Sequence, residues 1–210
     1  MSINNSKTLL STAYLPPISW FKIMLNADES LIEQHENFIK QTYRNRCNIL
    51  AANGVMSLSI PVVKASSKKI KITDVKIDYA TAWQKQHLKS IESAYRNSPF
   101  YEYLIDDILP FYEKKHKFLF DFNLQIIYTI LEILELKKEI KLSKDFIEPT
   151  NDNFDYRNRI KPKKQSEKVS QLANKKYYQV FNEKHPFQAD LSIIDLLFNL
   201  GSESYGYLVK

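Results

Sequence analysis

His87, the pair Arg44 and Arg46, His35 and Asp195 are the residues of this sequence whose types and spacing could do chemistry. His87 stands in the run Thr81–Tyr103, where Trp83, His87, Ile91, Ala94 and Tyr95 recur at helical spacing and so share one face. Imidazole titrates near neutral pH, which suits His87 to act as a general base taking a proton from an attacking amine. The competing reading is a packed histidine bonded to a backbone carbonyl. Arg44 and Arg46 flank Asn45 ahead of an expected strand. Alternate strand residues point the same way, so the two guanidiniums could fork around a diphosphate or carboxylate. The alternative is a surface pair neutralised by Glu33 or Glu36. His35 falls at the end of the second expected strand, where open parallel sheets bind ligands; otherwise it is an exposed loop histidine. Asp195, with Asp190 and Ser192, surrounds a helix start, where an acid caps the helix or orients His185 or a substrate amine.

Other chemistries find no residues to carry them. The four histidines are scattered, and no H-x-x-x-H or C-x-x-C pair occurs, so no metal site is expected. Cys47 falls within an expected strand, the setting of an inert buried thiol. With 3 glycines and no glycine-rich phosphate motif, any phosphate must be held by Arg, Lys or helix termini. A net charge of +6 favours an anionic ligand but is too small to imply nucleic-acid binding. The basic run 157–168 has only Phe154 and Tyr156 beside it, too few rings for a stacking platform, and reads as a solvated charge run.

The elements that must position these residues can be read in order. A strand at Thr8–Tyr14, a helix opened by Pro17 and a strand at Ser30–Glu33 predict a parallel βαβ unit. Asn53-Gly54, between Cys47–Leu50 and Val55–Val63, predicts a tight hairpin. Ala65–Lys69 reads as a loop and Lys71–Ile77 as a strand. Helices are expected over 81–97, with Thr81 and Gln84 as a capping box, over 99–109, stopped by Pro110, and over 121–136. Glu139–Leu142 suits a strand returning to the sheet. Residues 149–176 are polar and charged, the composition of a flexible basic loop. A last helix begins near Ser192 and ends at Gly201. Tyr-Arg-Asn-Arg occurs at 43–46 and 156–159, but the flanks do not align and the match reads as coincidence. A single cysteine and the lack of a signal-peptide pattern or long apolar run predict a cytoplasmic protein without a membrane span.

Several of these pieces, in this order, resemble the WbqC-like family, known from bacterial surface-polysaccharide gene clusters. They are Ala13-Tyr14-Leu15-Pro16 with Trp20-Phe21, Asn37-Phe38, Tyr43-Arg44-Asn45-Arg46 and Asn53-Gly54. Trp83-x-x-x-His87, Pro99-Phe100-Tyr101-Glu102 and the run from Asp190 to Gly201 complete the set. Thr12-Ala13 stands where many relatives carry Gln-Pro, and Gln34-His35-Glu36 where many carry an acidic pair. The resemblance implies acyl or aminoacyl (glycyl-like) transfer to an amino sugar or nucleotide-linked sugar in surface polysaccharide (O-antigen) biosynthesis. The departures suggest, as an alternative, a non-catalytic protein that binds an anionic small molecule.

The resulting expectation is a single α/β domain over 1–210: a mixed sheet opened by βαβ, a hairpin insertion, and packed helices. Its site would have His87 as base and Tyr14, His35, Arg44, Asn45, Arg46, Trp83 and Asp195 around a small anionic substrate. The loop 149–176 would cover that site. No bound cofactor, metal or nucleic acid is expected, while an activated acyl donor is implied; the sequence does not address oligomeric state.

Overall fold

In the computed structural model, described for residues 7–64, 69–150, 152, 154–162 and 167–209, the chain opens as a βαβ unit. β1 (Lys7–Leu10) and β2 (Glu29–Ile32) pair in parallel, joined by α1 (Ile18–Leu25), and β5 (Ile140–Leu142) adds in parallel to β2. Strands in such a sheet are covered on both faces, so Leu9, Leu10, Leu31 and Ile32 are all buried. α1 is apolar nearly all round because it too is enclosed: Ile18 through Met24 are buried. The free edge of β1 is taken by residues 154–156, through Leu9 N–H to Phe154 O (2.8 Å) and Tyr156 N–H to Leu9 O (2.9 Å).

β3 (Arg46–Ala51) and β4 (Gly54–Ser59) form the expected hairpin, with Ala51 opposite Gly54. Gly54 has φ +104°, which the tight turn requires. The architecture is the mixed α/β fold expected, with its parallel strands and its antiparallel hairpin in two separate sheets. Over these pack α2 (Trp83–Tyr95), α3 (Tyr101–Ile108), α4 (Pro110–Glu113) and the long core helix α5 (Leu119–Ile133). α6 (Glu167–Leu172), α7 (Ile193–Leu200) and α8 (Ser204–Leu208) follow.

Local details differ from expectation for physical reasons. Residues 71–77 form a 3₁₀ turn at Ile72–Asp74 between isolated bridges rather than a strand, because only single residues of Asn37, Val62 and Phe118 reach them. The Thr81–Gln84 capping box is not made. Gln84 Nε2 instead donates to Phe111 O (3.1 Å) and Lys114 O (2.6 Å), tying α2 to α4. Pro110 opens α4 rather than merely stopping α3. Within 149–176, residues 154–156 bond to β1 and Val169 of α6 is buried. Residues 65–68 of the expected loop, and Lys163 and Lys164 of the basic run, lie outside the described residues. Among the described residues no helix is long and apolar enough to cross a membrane.

Candidate functional site

Polar residues follow directly after each parallel strand: Ser11 and Thr12 after β1, Glu33 after β2, Ser143 after β5. They crowd one edge of the sheet, the carboxyl edge where α/β proteins place ligands. Glu33 is fully buried and accepts from Ser143 Oγ (2.7 Å), His35 N–H (2.8 Å) and Ile147 N–H (2.9 Å). Arg157 reaches Glu33 Oε2 at 3.5 Å and grips Asp155 side-on, Nε to Oδ1 at 3.0 Å and Nη2 to Oδ2 at 2.6 Å. Those contacts hold the Asp155 carboxyl below its ordinary range although burial pushes the other way. Arg44 grips Glu36 in the same manner, at 2.8 and 2.5 Å, and its Nη2 donates to Ser11 Oγ at 2.6 Å. Ser11 Oγ in turn donates to Glu36 Oε2 (3.1 Å). Buried ions are tolerated only with such paired, two-pronged geometry.

Above this network lies a narrow cleft of about 10 Å³, room for about one water-sized group, open on one side. Ser11, Thr12, Arg44 and Arg157 line its floor, and the rings of Trp20, Tyr43 and Tyr156 its walls. Thr12 is fully buried and its hydroxyl has no partner. An unmade hydrogen bond of this kind is costly unless a bound group completes it. Three carboxylates (Glu33, Glu36, Asp155) meet two guanidiniums (Arg44, Arg157), so the network carries a formal excess of one negative charge.

The residues singled out in the sequence are not brought to one place. His87, Tyr14 and Trp83 do meet, but in the core. The His87 ring stands edge-on to Trp83 (5.1 Å) and stacks near Tyr14 (5.7 Å), with Nδ1 3.0 Å from the Tyr14 hydroxyl. Burial lowers the His87 pKa to about 4, against a weaker opposite pull from the Ser59 backbone, so the ring is neutral at pH 7. It does not line the cleft. Arg44 is in the cleft, whereas Arg46 is half-exposed beside Ser59 Oγ (3.1 Å). The expected fork is not formed, because the strand begins only at Arg46 and strand alternation does not reach back to Arg44. Arg44 instead pairs with Glu36, the alternative weighed above. Asn45 is used structurally, donating to Ile60 O at 2.9 Å. His35 is half-buried with its Nε2 sealed and unpartnered, outside the cleft lining.

Asp195 neither caps α7 nor meets His185, whose Nε2 lies 2.9 Å from Ala52 O. It is buried and accepts from Tyr177 (2.5 Å), Tyr95 (2.9 Å) and Gln179 (3.2 Å). Burial raises its pKa to about 6 in spite of those three donors. Asp190 does the capping, but for α1, accepting from Ser19 N–H at 2.7 Å and Ser19 Oγ at 2.8 Å. Ser192 Oγ donates to Leu15 O instead of capping α7.

Sequence reasoning passed over Ser11, Thr12, Glu33, Asp155 and Arg157 as site residues. The overlooked signal was the repeated Tyr-Arg-Asn-Arg. Tyr43-Arg44 and Tyr156-Arg157 face the same cleft, each arginine side-on to a carboxylate. Arg157, expected in a solvated charge run, is 5% exposed. No group of acids, histidines and cysteines among the described residues could hold a metal ion.

Residues 12–174 match the WbqC-like protein family, and the chain belongs to that family. The match spans the cleft from Thr12 to Ile160. The chain is also 25% identical over 222 positions to the uncharacterized protein Rv1507c of Mycobacterium tuberculosis, across 95% of this chain and 96% of that protein. No solved structure matches it.

Proposed function

We propose that this WbqC-like family member is a cytoplasmic transferase that moves an acyl or aminoacyl group onto the amine of an amino sugar, free or nucleotide-linked. The product would feed surface polysaccharide, the setting the family resemblance implies. The observation that carries the reading is the network beneath the cleft, with one carboxylate more than its guanidiniums can balance, and the hydroxyls of Ser11 and Thr12 in the cleft floor. Both guanidiniums are engaged by protein groups, so the net charge of the network beneath the cleft favours an ammonium over an anion, which changes the substrate charge expected from sequence. The incoming amine supplies the missing charge and a partner for Thr12 Oγ1. A cleft of about 10 Å³ admits the amine group itself and leaves the sugar outside.

In the reaction the bound ammonium first gives one proton through Ser11 Oγ to Glu36, which Ser11 already touches, and so frees its lone pair. The nitrogen then bonds to the acyl carbon of an activated donor while the bond from that carbon to its leaving group breaks, and the second proton departs with the leaving group. His87, buried against Tyr14 and Trp83, takes no proton in this reading. The test is mass spectrometry of amino sugars and nucleotide amino sugars incubated with protein and acyl or aminoacyl donors. A product heavier by one acyl group, falling about 100-fold in Ser11→Ala and Glu36→Gln, supports the reading.

A second reading is a binding protein without turnover. It is favoured by the engagement of every oxygen of Glu33, Glu36 and Asp155 in the unliganded network, which leaves no idle base. Saturable stabilisation by an amino sugar, with no product from any donor, would select it.

A further inference from the structure

At the far end of α1, Lys22 is 7% exposed, and its ammonium lies 4.4 Å from the centre of the Tyr207 ring on α8. Lys175 sends a second ammonium to the same ring, at 5.7 Å. Two like charges on one ring repel, and burial weakens the solvent screening that would soften the repulsion. Lys22 accordingly has its pKa lowered, by burial first and by Lys175 second. Among the described residues neither lysine makes an ion pair. The acid that influences Tyr207, Asp190, is taken up in capping α1. The Tyr207 hydroxyl is likewise committed, donating to the backbone at Lys175 (2.6 Å) and Ala173 (3.2 Å).

Beside this ring is an open groove of about 460 Å³ lined by Lys175, Lys176, Tyr177 and Tyr207, with Glu203 on its wall. A groove of that size admits a small molecule. Its cations are concentrated where no described carboxylate pairs with them, and its apolar surface is supplied by Tyr177, Tyr207 and Leu200.

We propose that this groove is a second binding site, separate from the cleft, for a compact oxyanion held by Lys175 with Lys22 behind it. The bound anion supplies the countercharge that the fold omits. Phosphate and carboxylate share the required chemistry, and the choice between them is an arm of the experiment. The full-length protein is melted in rising inorganic phosphate, in citrate, and in sodium chloride at matched ionic strength.

The site predicts a saturable rise in Tm with phosphate or citrate that chloride does not reproduce, the stronger of the two naming the anion class. Lys175 is exposed, so Lys175→Met should fold. This variant should bind the anion about tenfold or more weakly, the loss expected of one charge-assisted contact. Without anion it should melt no lower than the parent, because the repulsion on Lys22 is relieved. An equal rise in chloride, or an unchanged phosphate and citrate response in Lys175→Met, would overturn the site.

Discussion

Two buried side chains carry opposite pH dependences that one protein should display together. Asp195 has its pKa raised from 3.8 to about 6 by burial, so the unfolded chain releases that proton first as pH rises. Its contribution to stability is complete below about pH 4 and is lost as pH rises through about 6. His87 has its pKa lowered from 6.5 to about 4, so the unfolded chain takes up that proton first as pH falls. Its contribution is complete above the ordinary histidine pKa and is lost on acidification through about 4. Each span is worth on the order of 3 kcal/mol, and in the parent protein the two nearly cancel. Asp195→Asn should therefore expose the histidine slope, stability falling relative to the parent between pH 6 and 4, and His87→Gln the opposite slope. Urea denaturation at several pH values measures both. Parallel pH profiles for parent and variants would mean that neither group is sealed as the structure has it. Neither environment was legible in the sequence: spacing put His87 on an apolar face, but not whether that face opened on a cleft or on Tyr14 and Trp83.

At the scale of elements, periodicity and turn chemistry carried further. The βαβ opening, the Asn53-Gly54 hairpin, the face of α2 and the core helix α5 could all be read, because each rests on local alternation or on one obligatory backbone angle. What could not be read were junctions, where a partner distant in sequence decides. Gly201 is an instance. The sequence marks it as a helix stop, and it has φ +54°, but the ring of Phe100 also lies over it, 2.5 Å from where a Cβ would stand. The stop of α7 and the approach to α3 are thus one contact, secured by Phe100 N–H to Phe198 O at 3.0 Å. Gly201→Ala should cost about 2–4 kcal/mol, part backbone strain and part overlap with the ring. Phe100→Ala in the same chain should return the overlap but not the strain, so a double-mutant cycle should show coupling of about 1 kcal/mol or more. Additive losses would place the whole cost in the backbone.

For the molecule as a whole, the cleft exists because a late segment closes over the first strand. Residues 154–156 bond to Leu9 from 145 or more positions away, and Arg157 locks them there through Asp155, Glu33 and Ile147 O at 2.6 Å. Composition hid this: a polar, lysine-rich stretch reads as solvated, and only the second copy of Tyr-Arg-Asn-Arg hinted that part of it turns inward. Removing Arg157 leaves Asp155 without its cation and Glu33 with one donor fewer, both sealed from water. Breaking a buried pair from one side costs about 3–5 kcal/mol, and the network here shares that loss among few other donors. Arg157→Met should therefore open the strap before the rest of the fold. By hydrogen exchange, the amides of Leu9 and Tyr156, which bond across the strap, should lose protection. Those of Ile49 and Met56 in the hairpin, a separate sheet, should keep theirs. Uniform loss of protection across both sheets would show instead that the strap and the core unfold as one unit, with Arg157 holding the whole domain rather than the cleft.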